Sequence, residues 1–152
     1  MKTIYGNLIS LAIYGEFDVI VHGCNCFCTM GAGVAKHIKH HFPEAYLADQ
    51  KTERGSRDKL GTISWAKCER GRHSVIVVNA YTQYGYRQGE QHTDYTAIRS
   101  AFKEIATKFP GKRIGYPAIG CGLGGGKWSI VSKIIDEELQ GKDHTLVKLR
   151  RR

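Results

Sequence analysis

The chain alternates short runs of branched apolar residues with segments of helical periodicity. Residues 17–21 and 74–78 are rich in Val and Ile and are bounded by turn residues, as is typical of strands covered on both faces. Such strands need helices on both sides of their sheet. The alternation therefore indicates the α/β class.

The helical patterns separate the predicted strands. A four-residue apolar repeat over residues 34–42 predicts a helix that ends before Pro43, where a second short helix can begin. Residues 94–109 keep the i, i+3, i+4 spacing, with Asp94 as N-cap, and residues 128–139 repeat that spacing. We therefore expect a three-layer α/β/α sandwich with a mixed, mostly parallel central sheet.

One domain of this kind accounts for the length of 152 residues, since such a chain buries roughly two thirds of its unfolded surface. We predict a single domain over residues 1–149 and a basic C-terminal tail over residues 150–152. No apolar run approaches the ~20 residues of a membrane span, and the N-terminus lacks the apolar core of a secretory signal. We expect a cytoplasmic protein with no membrane partner.

The chain is basic, with 23 Lys and Arg against 14 Asp and Glu and a net charge of +9. This charge indicates an anionic partner. The aromatic array of single-strand nucleic-acid binders is missing from the sequence. A phosphorylated small molecule is therefore favoured, and general nucleic-acid binding stays open as an alternative.

Five cysteines are present, and thiols of a cytoplasmic protein stay reduced. Cys24, Cys26 and Cys28 form a CxCxC run, but no second Cys or His pair has zinc-finger spacing. We expect free, packed thiols and no metal site.

Two glycine-rich segments directly follow predicted strands. We call residues 23–33 the first glycine loop and residues 118–126 the second glycine loop; a predicted strand over residues 113–117 precedes the second. Ligands of α/β sheets bind beyond the carboxyl ends of strands. Glycine amides and helix N-termini bind phosphate, so the two loops predict one diphosphate site.

Neither loop carries a common nucleotide-binding motif. A GxGxxG motif starting at Gly31 has Lys36 in its sixth position and so fails as a dinucleotide fingerprint. The second loop lacks the first glycine of a Walker A motif, where Cys121 stands, and Trp128 replaces its Ser or Thr. NAD-dependent redox chemistry and P-loop ATPase activity are therefore disfavoured.

Three segments resemble the macro domain family: DVIVHGCN at residues 18–25, MGAGVA at residues 30–35 and PAIGCGL at residues 117–123. They occur in the family's order, and residues 6–8 after the first predicted strand also match. The resemblance implies the macro fold and ADP-ribose binding. Within the family the chain is most similar to the ADP-ribose-1''-phosphate phosphatase-like branch and to T4-like phage members.

The resemblance also implies roles for individual residues. Asp18 would accept a hydrogen bond from the adenine amino group, Asn25 would hold the distal ribose, and the loops would wrap the diphosphate. The alternatives are a cap for Asp18 and an Asx turn for Asn25. The expected ligand contacts are Asp18, Val19, Asn25, Gly31, Ala32, Gly33, Val34, Ile119, Gly120, Cys121, Gly122 and Leu123.

The catalytic expectation rests on His22 together with Asn25. A related glycohydrolase branch has a lysine and an acid where this chain has Gln83 and Gly124, which argues against a lysine-based mechanism. His22 would instead assist proton transfer, although a purely structural histidine is equally open. The implied reaction removes the 1''-phosphate of ADP-ribose-1''-phosphate without a cofactor.

The sequence leaves two other functions open. One is removal of ADP-ribose from a protein or nucleic acid, and the other is non-catalytic reading of ADP-ribose or its polymer. Residues 81–91 are polar, aromatic and glycine-punctuated, so they form either a lid or an ordinary surface loop.

Overall fold

The computed structural model describes residues 1–87 and 91–149. In these residues six strands form one mixed sheet in the order β1-β6-β5-β2-β4-β3. The antiparallel pair is β3 with β4, and the other neighbours are parallel. The strands are β1 (Lys2–Tyr5), β2 (Val19–Cys24), β3 (Ile63–Arg70), β4 (His73–Tyr81), β5 (Ile114–Tyr116) and β6 (His144–Lys148).

Helices cover both faces of the sheet. Side chains alternate along β2, so Val19 and Val21 pack in one core with α4 and α5, whereas Ile20 packs in a second core with α1, α2 and α3. This arrangement confirms the predicted three-layer sandwich. The helices are α1 (Leu8–Ile13), α2 (Gly33–His41), α3 (Pro43–Gln50), α4 (Tyr95–Lys108) and α5 (Trp128–Glu138), with a 3₁₀ turn at Arg57–Lys59.

The predicted helix over residues 94–109 is confirmed as α4, and Asp94 accepts a hydrogen bond from Ala97 N–H as its N-cap. The apolar repeat that predicted α2 does not form one continuous buried stripe. Ile38 and Phe42 are buried, but Val34 is 40% exposed. Val34 lies at the sheet edge, where it lines a cavity instead of the core.

Two elements escaped the sequence analysis. Helix α1 has six residues, too few for a clear helical period. Strand β3 is a sheet edge with charged residues, and Cys68 is its one fully buried position, so its alternation is weak. Residues 150–152, the predicted tail, lie outside the described residues. No helix within the described ranges has the length and apolar character to cross a membrane.

Candidate ligand-binding site

A cavity of about 950 Å³ opens at the carboxyl edge of the parallel strands. Its volume is within the range of cofactor and small-molecule sites, and this edge is where α/β sheets bind ligands. Both glycine loops contribute to its walls. Its lining includes Gly23, Cys24, Asn25, Thr29, Met30, Gly31, Ala32, Gly33, Val34, Asp49, Thr82, Gln83, Tyr86, Arg87, His92, Ile119, Gly120, Cys121, Gly122, Leu123, Gly124, Lys148 and Leu149.

The two glycine loops meet at this cavity. A Cβ atom placed on Gly33 would lie 3.5 Å from Leu123 Cδ1. Leu123 is 65% exposed, because its side chain lines the cavity rather than the core. The structure thus brings both loops to one mouth, as the order of strands and helices predicted.

The first glycine loop ends in the uncapped N-terminus of α2. Met30 and Gly33 have left-handed backbone, with φ of 41° and 60°, and the buried Met30 side chain anchors the turn. Ala32, the N-cap, offers no side-chain acceptor to the first helical N–H groups. A helix start of this kind attracts anions through its free amides and its dipole.

The second glycine loop is folded tightly against Thr93. Thr93 Oγ1 donates to Gly120 O at 2.6 Å, and Gly126 N–H donates to the same oxygen at 2.7 Å. Gly120 has a φ of 76°, and a Cβ on it would lie 2.7 Å from Thr93 Cγ2. A Cβ on Gly124 would overlap Thr93 Oγ1. Glycine is therefore required at both positions by close packing.

Asn25 directly follows β2 within the first glycine loop and lines the cavity. Its Oδ1 accepts from Phe27 N–H at 2.8 Å, and its Nδ2 donates to Thr29 Oγ1 at 2.7 Å. The first bond is an Asx turn. Asn25 therefore forms the Asx turn that was the alternative to ligand binding. It also lines the cavity, where a ligand can reach it.

The segment after β4 supplies residues that the sequence analysis did not assign to the site. Cys26 N–H donates to Tyr84 O at 3.0 Å, and Tyr84 packs against Phe27 with ring centroids 4.9 Å apart. Gln83 and Tyr86 line the cavity. The Tyr and Gly residues of this segment are the sequence feature that could have indicated its place at the site. The predicted lid or surface loop over residues 81–91 includes residues 88–90, which lie outside the described residues.

His22 is not among the described residues that line the cavity, which favours the structural histidine that the sequence left open. Its side chain is 1% exposed, and its Nε2 lies 2.6 Å from Asn79 Oδ1. Burial lowers the pKa of His22 to about 4. The imidazole is therefore neutral near pH 7. It lies inside the sheet layer because His22 shares a face of β2 with Ile20.

Asp18 and Val19 also lie away from the cavity, which weighs against their expected contact with adenine. Asp18 precedes β2, whereas the cavity opens after Cys24 at the other end, about 20 Å along the strand. Arg113 occupies both carboxylate oxygens of Asp18, at 3.0 and 3.1 Å. These bonds lower the pKa of Asp18. These contacts agree better with the alternative interpretation, in which Asp18 caps a local turn, than with ligand binding.

The other expected ligand contacts do converge. Both loops bring their residues to the cavity, with basic side chains at Arg87, His92 and Lys148 on the rim. Asp49 is the one acidic residue among the described lining residues. The lining suits an anionic ligand. The expected residues that line the cavity are Asn25, Gly31, Ala32, Gly33, Val34, Ile119, Gly120, Cys121, Gly122 and Leu123.

Known structures share this fold. A protein of unknown function from Bacteroides thetaiotaomicron has a TM-score of 0.79 and 26% identity, with 99% of each chain covered. Thermosipho africanus DarTG in complex with ADP-ribose has a TM-score of 0.74 and 19% identity, covering 100% of this chain and 43% of the other.

Sequence relatives lead to the same family. An uncharacterized 17.5 kDa protein of Enterobacteria phage T4 is 36% identical over 141 residues, covering 90% of this chain and 88% of that protein. A DNA ADP-ribosyl transferase-DNA ADP-ribosyl glycohydrolase fusion protein of Thermosipho africanus is 23% identical over 137 residues, covering 80% and 35%. The family model for the macro domain matches residues 21–135. The chain therefore belongs to the macro domain family.

Proposed function

We propose that this protein binds ADP-ribose and its derivatives, with the diphosphate held between the two glycine loops. The observation that carries the proposal is the approach of Leu123 to Gly33 across a cavity that also contains the uncapped start of α2. The amides of both loops can then surround one diphosphate. Similarity to a protein named as a DNA ADP-ribosyl transferase-DNA ADP-ribosyl glycohydrolase fusion, of which this chain covers 35%, supports this ligand class.

The cavity gives the ligand a direction. It extends from Gln83, after β4, to Leu149, after β6, with the glycine loops between them. Asn25 and Gln83 offer amide groups at one end, whereas the 76% exposed side chain of Leu149 offers an apolar surface at the other. The distal ribose fits the amide end, and the purine fits the apolar end.

The proposed reaction is hydrolysis of the 1''-phosphate ester. Water oxygen bonds to phosphorus, the bond from phosphorus to the ribose oxygen breaks, and that oxygen leaves with a proton. Loop amides would stabilise the charge on the phosphate oxygens. The site lacks room for an acid at position 124, where a Cβ would overlap Thr93 Oγ1, which weighs against the lysine and acid arrangement of the glycohydrolase branch.

Two alternatives share this ligand. Removal of ADP-ribose from a protein or nucleic acid is supported by the name of the Thermosipho africanus relative and by the charge of +9. The other alternative, non-catalytic binding of ADP-ribose or its polymer, requires only the cavity.

Calorimetry with ADP-ribose tests the binding proposal, and product analysis separates the reactions. We expect binding, and phosphate release from ADP-ribose-1''-phosphate. Release of ADP-ribose from modified DNA or protein would select the second function, and binding without turnover would select the reader. Indifference to ADP-ribose, with steeply salt-dependent DNA binding, would contradict the whole proposal.

Asp18→Asn is expected to leave the Kd for ADP-ribose unchanged, because Asp18 lies at the far end of β2. Losing the partly exposed pair with Arg113 should lower the free energy of unfolding by about 1 kcal/mol or less. Calorimetry and urea unfolding check both values. A large loss of ADP-ribose affinity in a folded variant would return Asp18 to the binding site.

A further inference from the structure

Two buried side-chain oxygens in residues 1–87 and 91–149 have no hydrogen-bond partner, and both belong to residues that line the cavity. They are Asp49 Oδ2 and Thr82 Oγ1, and each residue is 1% exposed. Buried polar atoms are nearly always paired with protein, water or ligand. Their common location indicates that the occupant of the cavity supplies the missing partners.

A chain of hydrogen bonds between buried side chains fixes the position of the Asp49 carboxylate. Tyr81 OH donates to Asp49 Oδ1 at 2.7 Å, so Ser64 OH donates to the Tyr81 oxygen at 2.8 Å. Asn79 Nδ2 donates to Ser64 Oγ at 3.0 Å, and His22 Nε2 donates to Asn79 Oδ1 at 2.6 Å. Each donor in the chain points toward Asp49. The chain uses Oδ1 and leaves Oδ2 of this cavity-lining residue without a partner.

Asp49 also has a cation nearby. Lys59 Nζ donates to Cys26 O at 3.2 Å and lies 3.4 Å from Cys28 Sγ. Burial raises the pKa of Asp49, while the Tyr81 hydrogen bond and the Lys59 charge lower it. Burial raises the pKa of the neighbouring Cys24 and Cys26 thiols, which are therefore neutral.

We propose that Asp49 Oδ2 accepts a hydrogen bond from an O–H group in the cavity, supplied by a ribose hydroxyl of the ligand or by the attacking water. This inference rests on the proposed function, which defines the ligand. In the water case, the proton passes to Oδ2 as the water oxygen bonds to phosphorus, and then to the departing ribose oxygen. Asp49 touches the ligand or the reacting water in either case.

Asp49→Asn tests the proposal, because Asn keeps the volume and the acceptor for Tyr81 OH but replaces Oδ2 with a donor. If a ribose hydroxyl is the partner, the Kd for ADP-ribose should rise about tenfold or more. If water is the partner, the Kd should stay and kcat should fall by about 100-fold. Asp58→Asn is the matched control, since Asp58 is exposed. Unchanged Kd and kcat in Asp49→Asn would overturn the inference.

Tyr81→Phe provides a readout that a structural role alone would not move. Loss of its hydrogen bond should raise the pKa of Asp49, so the acidic limb of kcat/KM should shift upward by about one pH unit. An unmoved limb together with unchanged Asp49→Asn values contradicts the proposal.

A measurement on the wild-type chain avoids any dependence on variants that fold poorly. The side-chain carboxyl ¹³C resonance of Asp49 should shift when ADP-ribose or its 1''-phosphate is added. Binding of both ligands without a shift at Asp49 would overturn this inference and leave the proposed function standing. Absence of any binding would overturn the proposed function itself.

Discussion

Ala32→Glu is expected to raise the Kd for ADP-ribose more than 100-fold while the protein stays folded. Ala32 is the exposed N-cap of α2 and lines the cavity. A carboxylate there would lie beside the diphosphate, and two unit charges ~6 Å apart repel by about 3 kcal/mol at an effective dielectric of about 20. An acid at a helix start is compatible with the helix dipole, so α2 should persist.

Ala32→Gln is the matched control for Ala32→Glu, since it adds the same volume without charge. We expect calorimetry to show a smaller loss of affinity for Gln than for Glu, and circular dichroism to show native folding of both. Equal, wild-type affinity of the two variants would mean that the diphosphate does not lie at the first glycine loop.

Acidification from pH 6.5 to pH 4 is expected to remove about 3 kcal/mol of stability through His22 alone. The pKa of His22 is about 4 in the folded protein and 6.5 at its ordinary value. Between these pH values the unfolded chain binds a proton that the native protein excludes. The stability from His22 is thus complete above pH 6.5 and lost as the pH falls to 4, at 1.36 kcal/mol per pH unit.

Urea unfolding at a series of pH values measures this loss. His22→Gln, which keeps a donor for Asn79, should flatten the pH dependence, whereas the exposed His37→Gln should not. Burial also lowers the pKa of His144, so some slope of the same sign should remain. An unchanged slope in His22→Gln would contradict the buried neutral imidazole. Its turnover at pH 7.5 should persist, since a collapse would restore a direct catalytic role for His22.

The prediction of the fold succeeded where periodicity is local and strong. Helix α4 follows from its apolar spacing and its Asp94 cap, and β2 and β4 follow from their Val and Ile runs. Strand β3 was missed because an edge strand buries few residues and keeps charged ones. A local sequence pattern therefore predicts those elements that bury a wide apolar face.

The two glycine loops line the cavity, as their positions after strand ends predicted, whereas Asp18, Val19 and His22 do not line it. Both loops follow strand ends, and topology then requires them to share an edge. Asp18 and His22 belong to a motif near Asn25, but neighbours in sequence need not be neighbours at a site. The length of β2 places Asp18 at the far end from the cavity, and side-chain alternation along the strand places His22 in the core.

The sequence by itself determined the layer architecture, the positions of the two glycine loops and the basic character of the chain, because these depend on periodicity, backbone freedom and charge. Only the tertiary structure decided which side chains line the cavity. The hydrogen-bond chain from His22 to Asp49 joins residues of β2, β3, β4 and α3. Such a chain exists only once strand register and helix docking have placed those donors and acceptors within bonding distance.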